Sequence, residues 1–269
     1  MGGQYIEAML WPFRSDSPAP QPPGGASAAV AGRALAALVW PCQVCGSWDS
    51  QGLCAACRSR FAPARLQACP RCALHCPGGR VCGNCLRQPP PYAGCTAAVD
   101  YGFPWDRLVA RLKFQAQPEL AGLLAELMHR ALLDAAPPVA TVQAVLPVPL
   151  SPARLAERGY NQAWELARQL ARRLRLPAQA DGLLRLHDTP HQVGLSRAAR
   201  AHNLSGSLWV DGRAGRVAGL HLALVDDVLT TGSTANAATR ALLAAGAASV
   251  QVWVLARTPA PGEGPGTAA

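Results

Sequence analysis

Eight cysteines arranged as four C-x-x-C pairs restrict the fold of this chain more than any other feature of its sequence. The pairs are Cys42/Cys45, Cys54/Cys57, Cys69/Cys72 and Cys82/Cys85. Each pair can point two thiolates at one ion, and two pairs complete a tetrahedral Zn²⁺ site. Four pairs in so short a segment predict a double zinc ribbon. Because such a segment has little apolar core of its own, we expect metal to supply much of its folding free energy.

The zinc prediction leaves three alternatives open. We expect one or two structural ions, since four thiolates leave no coordination position for a substrate. A disulfide framework is the first alternative. We disfavour it because the N-terminus lacks a signal peptide and no apolar run is long enough to span a membrane, which predicts a cytoplasmic, reducing location. The pairs can also combine in an interleaved order, and His75 or Cys76 can replace a cysteine ligand. Cys95 also lies outside the pairs.

The charge of the chain is compatible with phosphorylated partners. The 269 residues carry a formal net charge of +9, and Lys113 is the only lysine, so the positive charge is almost entirely arginine. Arginine suits phosphate groups and nucleic acid. The alternative is a composition rich in Ala, Gly, Pro and Arg that implies no partner.

Composition shifts divide the chain into four segments. We expect a disordered leader rich in Pro, Gly, Ser and Ala, a double zinc ribbon preceded by a short helix at 32–41, an α/β domain reached through the Pro-rich linker RQPPPYAG, and a flexible tail. Their predicted bounds are 1–29, 30–87, 88–258 and 259–269.

Apolar patterns within the third segment alternate between strands and helices. The predicted strands are 95–102, 144–149, 220–227 and 249–257. The predicted helices are 105–114, 118–135, 161–175 and 233–246. This alternation predicts a mainly parallel sheet flanked by helices.

Two adjacent carboxylates, Asp226 and Asp227, end the apolar strand 220–227. Such a pair is costly at a strand end unless a cation or polar ligand meets it. The sequence Thr230-Thr231-Gly232-Ser233-Thr234 follows and leads into a helix, whose free N–H groups can cradle a phosphate. The carboxylates can bind sugar hydroxyls directly or through Mg²⁺. The pattern therefore predicts a ribose 5-phosphate site; the alternative is a polar turn with Thr231 or Ser233 as the helix N-cap.

The wider sequence resembles a known family. The segment from Leu220 to Thr234 resembles the 5-phosphoribosyl 1-diphosphate (PRPP) motif of type I phosphoribosyltransferases. VLPVPL followed by ARLAERGYNQAWELA, together with LVARLKF, TPHQVGLSRAARAHNLSGSL and the four cysteine pairs, resembles the ComF family over residues 38–258. CGNCLRQPPPY and VQVWVLART resemble its GntX-like members. Tyr160 stands where the family usually has Phe, and the Pro-rich leader departs from the pattern.

This resemblance implies a type I phosphoribosyltransferase-like domain behind a double zinc ribbon, in a family tied to DNA uptake and use of extracellular DNA. Asp226 and Asp227 would meet ribose hydroxyls and Mg²⁺, while the loop Thr230–Thr234 would hold the 5-phosphate. Arg158 would be the best candidate for the diphosphate ligand and Arg154 a weaker one, with a solvated helix face as the alternative for each arginine. A polar stretch that could close over the site carries Arg197, Arg200 and Asn203.

The resemblance leaves the activity open between three classes. The chain can be a PRPP-binding protein in DNA uptake, an active phosphoribosyltransferase in nucleotide salvage, or a single-stranded nucleic-acid-binding module. The DNA-uptake machinery is a further candidate partner. No segment for an acceptor base stands out, few aromatic residues are available for stacking, and we expect Lys113 to be a solvent-exposed residue of helix 105–114.

Overall fold

The computed structural model describes residues 40–49, 51–135, 141–185, 208–210 and 217–260, which belong to a single structural unit. The predicted leader, most of the predicted helix at 32–41 and most of the tail lie outside the described residues. The last two residues of that predicted helix form a short strand instead.

The described elements comprise short β-pairs, a central sheet and seven α-helices. The strands are β1 (Trp40–Pro41), β2 (Trp48–Asp49), β3 (Gly94–Asp100), β4 (Ala144–Pro147), β5 (Leu184–Arg185), β6 (Leu208–Trp209), β7 (His221–Leu229) and β8 (Ser249–Arg257). The helices are α1 (Ala55–Phe61), α2 (Gly83–Arg87), α3 (Trp105–Phe114), α4 (Leu120–Asp134), α5 (Pro152–Arg158), α6 (Gln162–Leu174) and α7 (Ser233–Ala244).

The central sheet is parallel, with strand order β3-β8-β7-β4. Both of its faces are covered, which explains why β7 and β8 read as almost continuous apolar runs. Val225 and Trp253 pack with residues of α3, α4 and α6. Leu224 and Val252 pack on the other face with residues of α7. The predicted α/β fold with a mainly parallel sheet flanked by helices is confirmed.

Helix α5 is an element that the apolar pattern did not predict. None of its residues is buried, so it has no hydrophobic face to recognise. Its ends are instead set by capping: the Ser151 side chain accepts from the N–H of Arg154, Pro152 opens the first turn, and Gly159 adopts φ 77° at the C-cap. The helix places Arg154 and Arg158 after β4.

The cysteine-rich segment and the sheet share an apolar core. Leu53 and Cys57 belong to the same buried cluster as Trp105 of α3. The indole N–H of Trp105 also donates to the carbonyl of Phe61 at 2.8 Å. The two parts of the chain therefore stabilise each other. Among the described residues, no helix has the length and apolar character needed to cross a membrane.

Candidate ribose-phosphate site and zinc centres

Two clusters of four thiols have the geometry of tetrahedral metal sites. Within each cluster the four Sγ atoms lie within 4.8 Å of one another. The clusters are Cys42, Cys45, Cys54 and Cys57, and Cys69, Cys72, Cys82 and Cys85. The donor set and spacing fit Zn²⁺, and the full set of thiolates suits a structural ion. The pairs therefore combine in sequence order, without His75 or Cys76, and the ten cysteines, all within the described residues, are free of disulfide bonds.

Hydrogen bonds from the surrounding chain favour the thiolate form that a metal requires. The backbone N–H of Cys54 donates to Cys42 Sγ at 3.4 Å, and that of Cys82 donates to Cys69 Sγ at 3.3 Å. A hydrogen bond with the Ser47 hydroxyl lowers the pKa of Cys45 to about 6. Thiolates are the zinc-binding form of cysteine, so these contacts favour metal binding at Cys42, Cys45 and Cys69. Burial raises the pKa of the Cys57, Cys72 and Cys85 thiols, an effect that a bound cation would oppose.

The two carboxylates lie at the carboxyl edge of the sheet, where parallel α/β folds bind ligands. Asp226 and Asp227 are near the end of β7. The neighbouring strand β4 ends beside them, since Pro147 pairs with Val225 and the N–H of Val148 donates to the Val225 carbonyl at 2.8 Å. The loop that leads to α5 is thereby placed next to the carboxylates.

Asp227 is buried and paired with the only lysine of the chain. Asp227 is 3% exposed, and its Oδ2 atom lies 2.7 Å from Lys113 Nζ. The expectation that Lys113 is a solvent-exposed helix residue is wrong: its side chain is 20% exposed and reaches from the last turn of α3 to the carboxylate. These two atoms form an ion pair without the angles of a hydrogen bond, so Asp227 Oδ2 has no hydrogen-bond partner. A buried carboxylate oxygen of this kind is a suitable donor for Mg²⁺.

Asp226 differs from Asp227 in its charge balance. Burial, together with the negative charge of Asp227, raises the pKa of Asp226 well above its ordinary value. The Oδ1 atom of Asp226 accepts from the N–H of Asp227 at 2.9 Å. A cation at this edge would remove the repulsion between the two acids.

The loop after β7 has the conformation of an open helix start. Gly232 takes the N-cap position of α7 with φ 81°, a left-handed conformation that favours glycine, and it offers no side-chain cap. The N-cap residue is therefore neither Thr231 nor Ser233, which the alternative interpretation would require, although Thr231 Oγ1 accepts from the N–H of Ser233 at 3.4 Å. Their hydroxyl groups lie 2.9 Å apart, and Thr230 and Thr231 are exposed. Hydroxyl groups and backbone N–H groups at such a helix start suit an anion.

The predicted diphosphate ligand Arg158 lies at the end of α5, against α3. Its guanidinium carbon is 5.0 Å from the ring centroid of Phe114, the residue after Lys113. Its Nη1 donates to Gln162 Oε1 at 2.9 Å. Arg154 lies in the first turn of the same helix. Arg197, Arg200 and Asn203 lie outside the described residues and stay predictions.

Known proteins show sequence similarity to this chain over most of its length. The family model described as phosphoribosyl transferase domain matches residues 161–265. DNA utilization protein YhgH of Salmonella typhi is 36% identical over 226 residues, which cover 82% of this chain and 97% of that protein. Competence protein F of Haemophilus influenzae is 36% identical over 213 residues, covering 77% and 90%. The chain belongs to the ComF family.

A solved structure of glutamine PRPP amidotransferase from Bacillus subtilis, complexed with ADP and GMP, is similar to part of this ComF-family chain. The identity is 21% and the TM-score 0.33, over 52% of this chain and 26% of the other. The likeness is too distant to bear on function.

Sequence reasoning missed the ion pair of Lys113 with Asp227 in the candidate site. The signal that could have found it is its uniqueness: a chain that otherwise uses arginine has placed its one lysine in the LVARLKF segment. Periodicity could not find it, since Leu108, Val109 and Leu112 define the buried face of α3 without it.

Proposed function

We propose that this ComF-family protein binds PRPP with Mg²⁺ at the carboxyl edge of its sheet and acts in the uptake or utilisation of DNA. The observation that carries the proposal is the succession, within one strand–loop–helix unit, of two carboxylates and an open glycine-led helix start. A ribose 5-phosphate presents the same succession of groups, vicinal hydroxyls followed by a phosphate.

Each part of the site has a distinct role in this proposal. The N–H groups and hydroxyls of Thr230 to Thr234 bind the 5-phosphate, and Asp226 and Asp227 bind the ribose hydroxyls and the metal. Arg158 extends toward the diphosphate, and the Lys113 ammonium forms an ion pair with the Asp227 carboxylate. Bound Mg²⁺ would neutralise part of the negative charge of the diphosphate.

The role in DNA metabolism rests on the relatives. One is named a DNA utilization protein and another a competence protein, and both match more than three quarters of this chain. We place the activity in the cytoplasm, because eight zinc-binding thiols must stay reduced.

Calorimetric titration of PRPP, with and without Mg²⁺, tests the proposal. We expect the wild type to bind PRPP and the double variant Asp226→Asn/Asp227→Asn to lose most of that affinity. Asp134→Asn is the control, since Asp134 is an exposed carboxylate at the end of α4, which leads toward the opposite edge of the sheet. A wild type that does not bind PRPP contradicts the proposal. Release of diphosphate in the presence of a panel of bases would assign the protein to the phosphoribosyltransferases of nucleotide salvage.

Exposed rings stacked with arginine support single-stranded DNA as a second ligand. Phe103 is 54% exposed with Arg107 at 5.0 Å from its ring centroid, and Phe114 is 68% exposed beside Arg158. Phe103 precedes α3 and Phe114 is its last residue. Rings with neighbouring cations are typical of surfaces on which nucleic-acid bases stack.

Oligonucleotide binding at several salt concentrations tests this second candidate. We expect an affinity that falls with salt and that the double variant Phe103→Ala/Phe114→Ala weakens by about tenfold or more. Leu133→Ala is the control, because Leu133 is as exposed as Phe114 but lies on α4. Equal affinities for the wild type and the double variant would exclude stacking on these rings.

A further inference from the structure

A buried arginine connects the second cysteine cluster with the loop after β7. Arg257 is the last residue of β8 and is 7% exposed. Its Nη1 donates to the carbonyls of Leu229 at 2.8 Å, Thr230 at 2.5 Å and Thr258 at 2.8 Å. Its Nε donates to the carbonyl of Cys72 at 2.8 Å. No carboxylate of the described residues forms an ion pair with it.

These contacts determine which side of the loop presents its N–H groups. In a planar trans peptide, the carbonyl of one residue and the N–H of the next point in opposite directions. Because the carbonyls of Leu229 and Thr230 point at Arg257, the N–H groups of Thr230 and Thr231 point away from it. The guanidinium therefore turns the acceptors inward and leaves donors on the other side, as an anion site requires.

The second cluster fixes the other end of this arginine. Cys72, whose carbonyl accepts from Nε, is buried within the cluster of Cys69, Cys82 and Cys85. Four thiolates around one Zn²⁺ carry a net negative charge, which favours a guanidinium beside them. The buried Tyr92 also lies beside the loop, because its hydroxyl is 3.7 Å from the position that a Cβ on Gly232 would take.

The first cluster has a different neighbour. Gln43, which lies between two of its cysteines, accepts a hydrogen bond of 2.8 Å from Arg111 of α3. This cluster therefore supports the helix that carries Lys113, whereas the second cluster supports the loop.

We propose that Arg257 is a positioning residue for the 5-phosphate, and that metal in the second cysteine cluster sets the phosphate affinity of the loop through it. The inference rests on the proposed ribose-phosphate site and adds a specific route by which metal content or thiol oxidation controls that site.

Replacement of the arginine tests the route. We expect Arg257→Lys, measured in the full chain, to lower the affinity for ribose 5-phosphate by about tenfold. A lysine cannot donate to the same set of carbonyls. Affinity for magnesium pyrophosphate, which lacks the 5-phosphate, should stay within about threefold. The control is Arg65→Lys. Arg65 connects the cysteine-rich segment to β3, since it donates to the Ala73 carbonyl at 2.6 Å and pairs with Asp100, but none of these contacts is with the loop.

Two further readouts keep the proposal testable if Arg257→Lys folds poorly. Cys82→Ser and Cys54→Ser are matched variants, since each cysteine is the third of its cluster, is half-buried and is the N-cap of a short helix. We expect Cys82→Ser to lose zinc. Its affinity for ribose 5-phosphate should fall at least fivefold more than that of Cys54→Ser. Hydrogen exchange at Thr258, whose N–H donates to the Leu229 carbonyl at 3.0 Å, should also be faster in Cys82→Ser.

The outcomes separate this inference from the proposed function. A wild type that binds neither ribose 5-phosphate nor PRPP overturns both. A wild type that binds, with equal losses for Cys82→Ser and Cys54→Ser or with unchanged affinity in Arg257→Lys, overturns only the coupling. Equal losses for ribose 5-phosphate and pyrophosphate also overturn it, because a general loss of structure would then explain the result.

Discussion

The ion pair between Lys113 and Asp227 gives the proposed site both its stability and its charge balance. Removal of the ammonium leaves a buried carboxylate without its counter-charge, beside a second carboxylate. We expect Lys113→Met to lower the free energy of unfolding by about 2 kcal/mol, between the values typical of exposed and buried pairs. Lys113→Arg, which keeps the charge, is the control. Urea unfolding measures both, and equal midpoints for Lys113→Met and wild type would show that the pair contributes nothing.

Asp226 should make stability depend on pH. Its pKa is raised in the folded protein above an ordinary value of 3.8, so protonation stabilises the fold. That stabilisation is complete below the ordinary value and is lost as the pH rises through the raised pKa. We therefore expect Asp226→Asn to be more stable than the wild type at pH 8, by a margin that shrinks toward pH 5 with a slope of at most about 1.4 kcal/mol per pH unit.

Chemical denaturation across pH 5 to 8 measures the margin, with Asp134→Asn as the exposed control. A margin for Asp226→Asn that is constant over this range would contradict the assignment of a raised pKa. The same variant should bind Mg²⁺ and PRPP less tightly than the wild type. Its gain in stability is therefore accompanied by a lower affinity for both ligands.

Residues that act as neighbours in the chain were predictable, and residues that meet across the fold were not. Asp226, Asp227 and the loop from Thr230 follow one another, so their chemistry can be recognised in a short segment. Lys113 comes from another helix, and nothing in the apolar pattern of α3 aims it at β7. Arg257 is equally hidden, because it reads as the end of an apolar strand.

Helices and strands with a buried stripe were predicted well. Helix α3 has the predicted bounds because its four buried residues recur at helical spacing. Strand β7 continues to Leu229, two residues beyond its predicted end, because Val228 and Leu229 pair with Ala256 and Arg257. Helix α5 was missed, since it has no buried residue and is defined by its caps.

The two cysteine clusters should each bind one structural zinc ion. We expect elemental analysis of the purified protein to find two zinc ions per chain. Chelation should release both and lower the melting temperature by roughly 10 °C or more, because binding of metal is coupled to folding of the surrounding segment. Titration of released zinc with a colorimetric chelator, followed by circular dichroism, measures the effect. Protein that keeps its helicity and melting temperature after complete chelation would contradict a structural role.

The chain as a whole folds around contacts between segments that the sequence separates. The division into ribbon, linker and α/β domain stays a prediction, and composition gave no sign that Leu53 and Cys57 enter the core of the sheet. Nor did it show that the linker residue Tyr92 is buried. Such long-range contacts are set by packing, which a single sequence does not reveal.

Removal of the cysteine-rich segment should therefore destabilise the remainder. We expect a chain that begins at Gln88 to expose Trp105 and the adjoining face of α4, and to lose cooperative unfolding or aggregate. Near-ultraviolet circular dichroism and size-exclusion chromatography measure this. A soluble fragment with native-like tertiary signals and a sharp unfolding transition would show that the sheet does not depend on the ribbon.

The most direct test of the proposed function is a crystal structure of the full chain with PRPP and Mg²⁺. We predict the 5-phosphate against the backbone N–H groups between Thr230 and Thr234, the ribose hydroxyls and metal beside Asp226 and Asp227, and the diphosphate toward Arg158. PRPP bound away from the end of β7, or with its 5-phosphate outside this loop, would contradict the account.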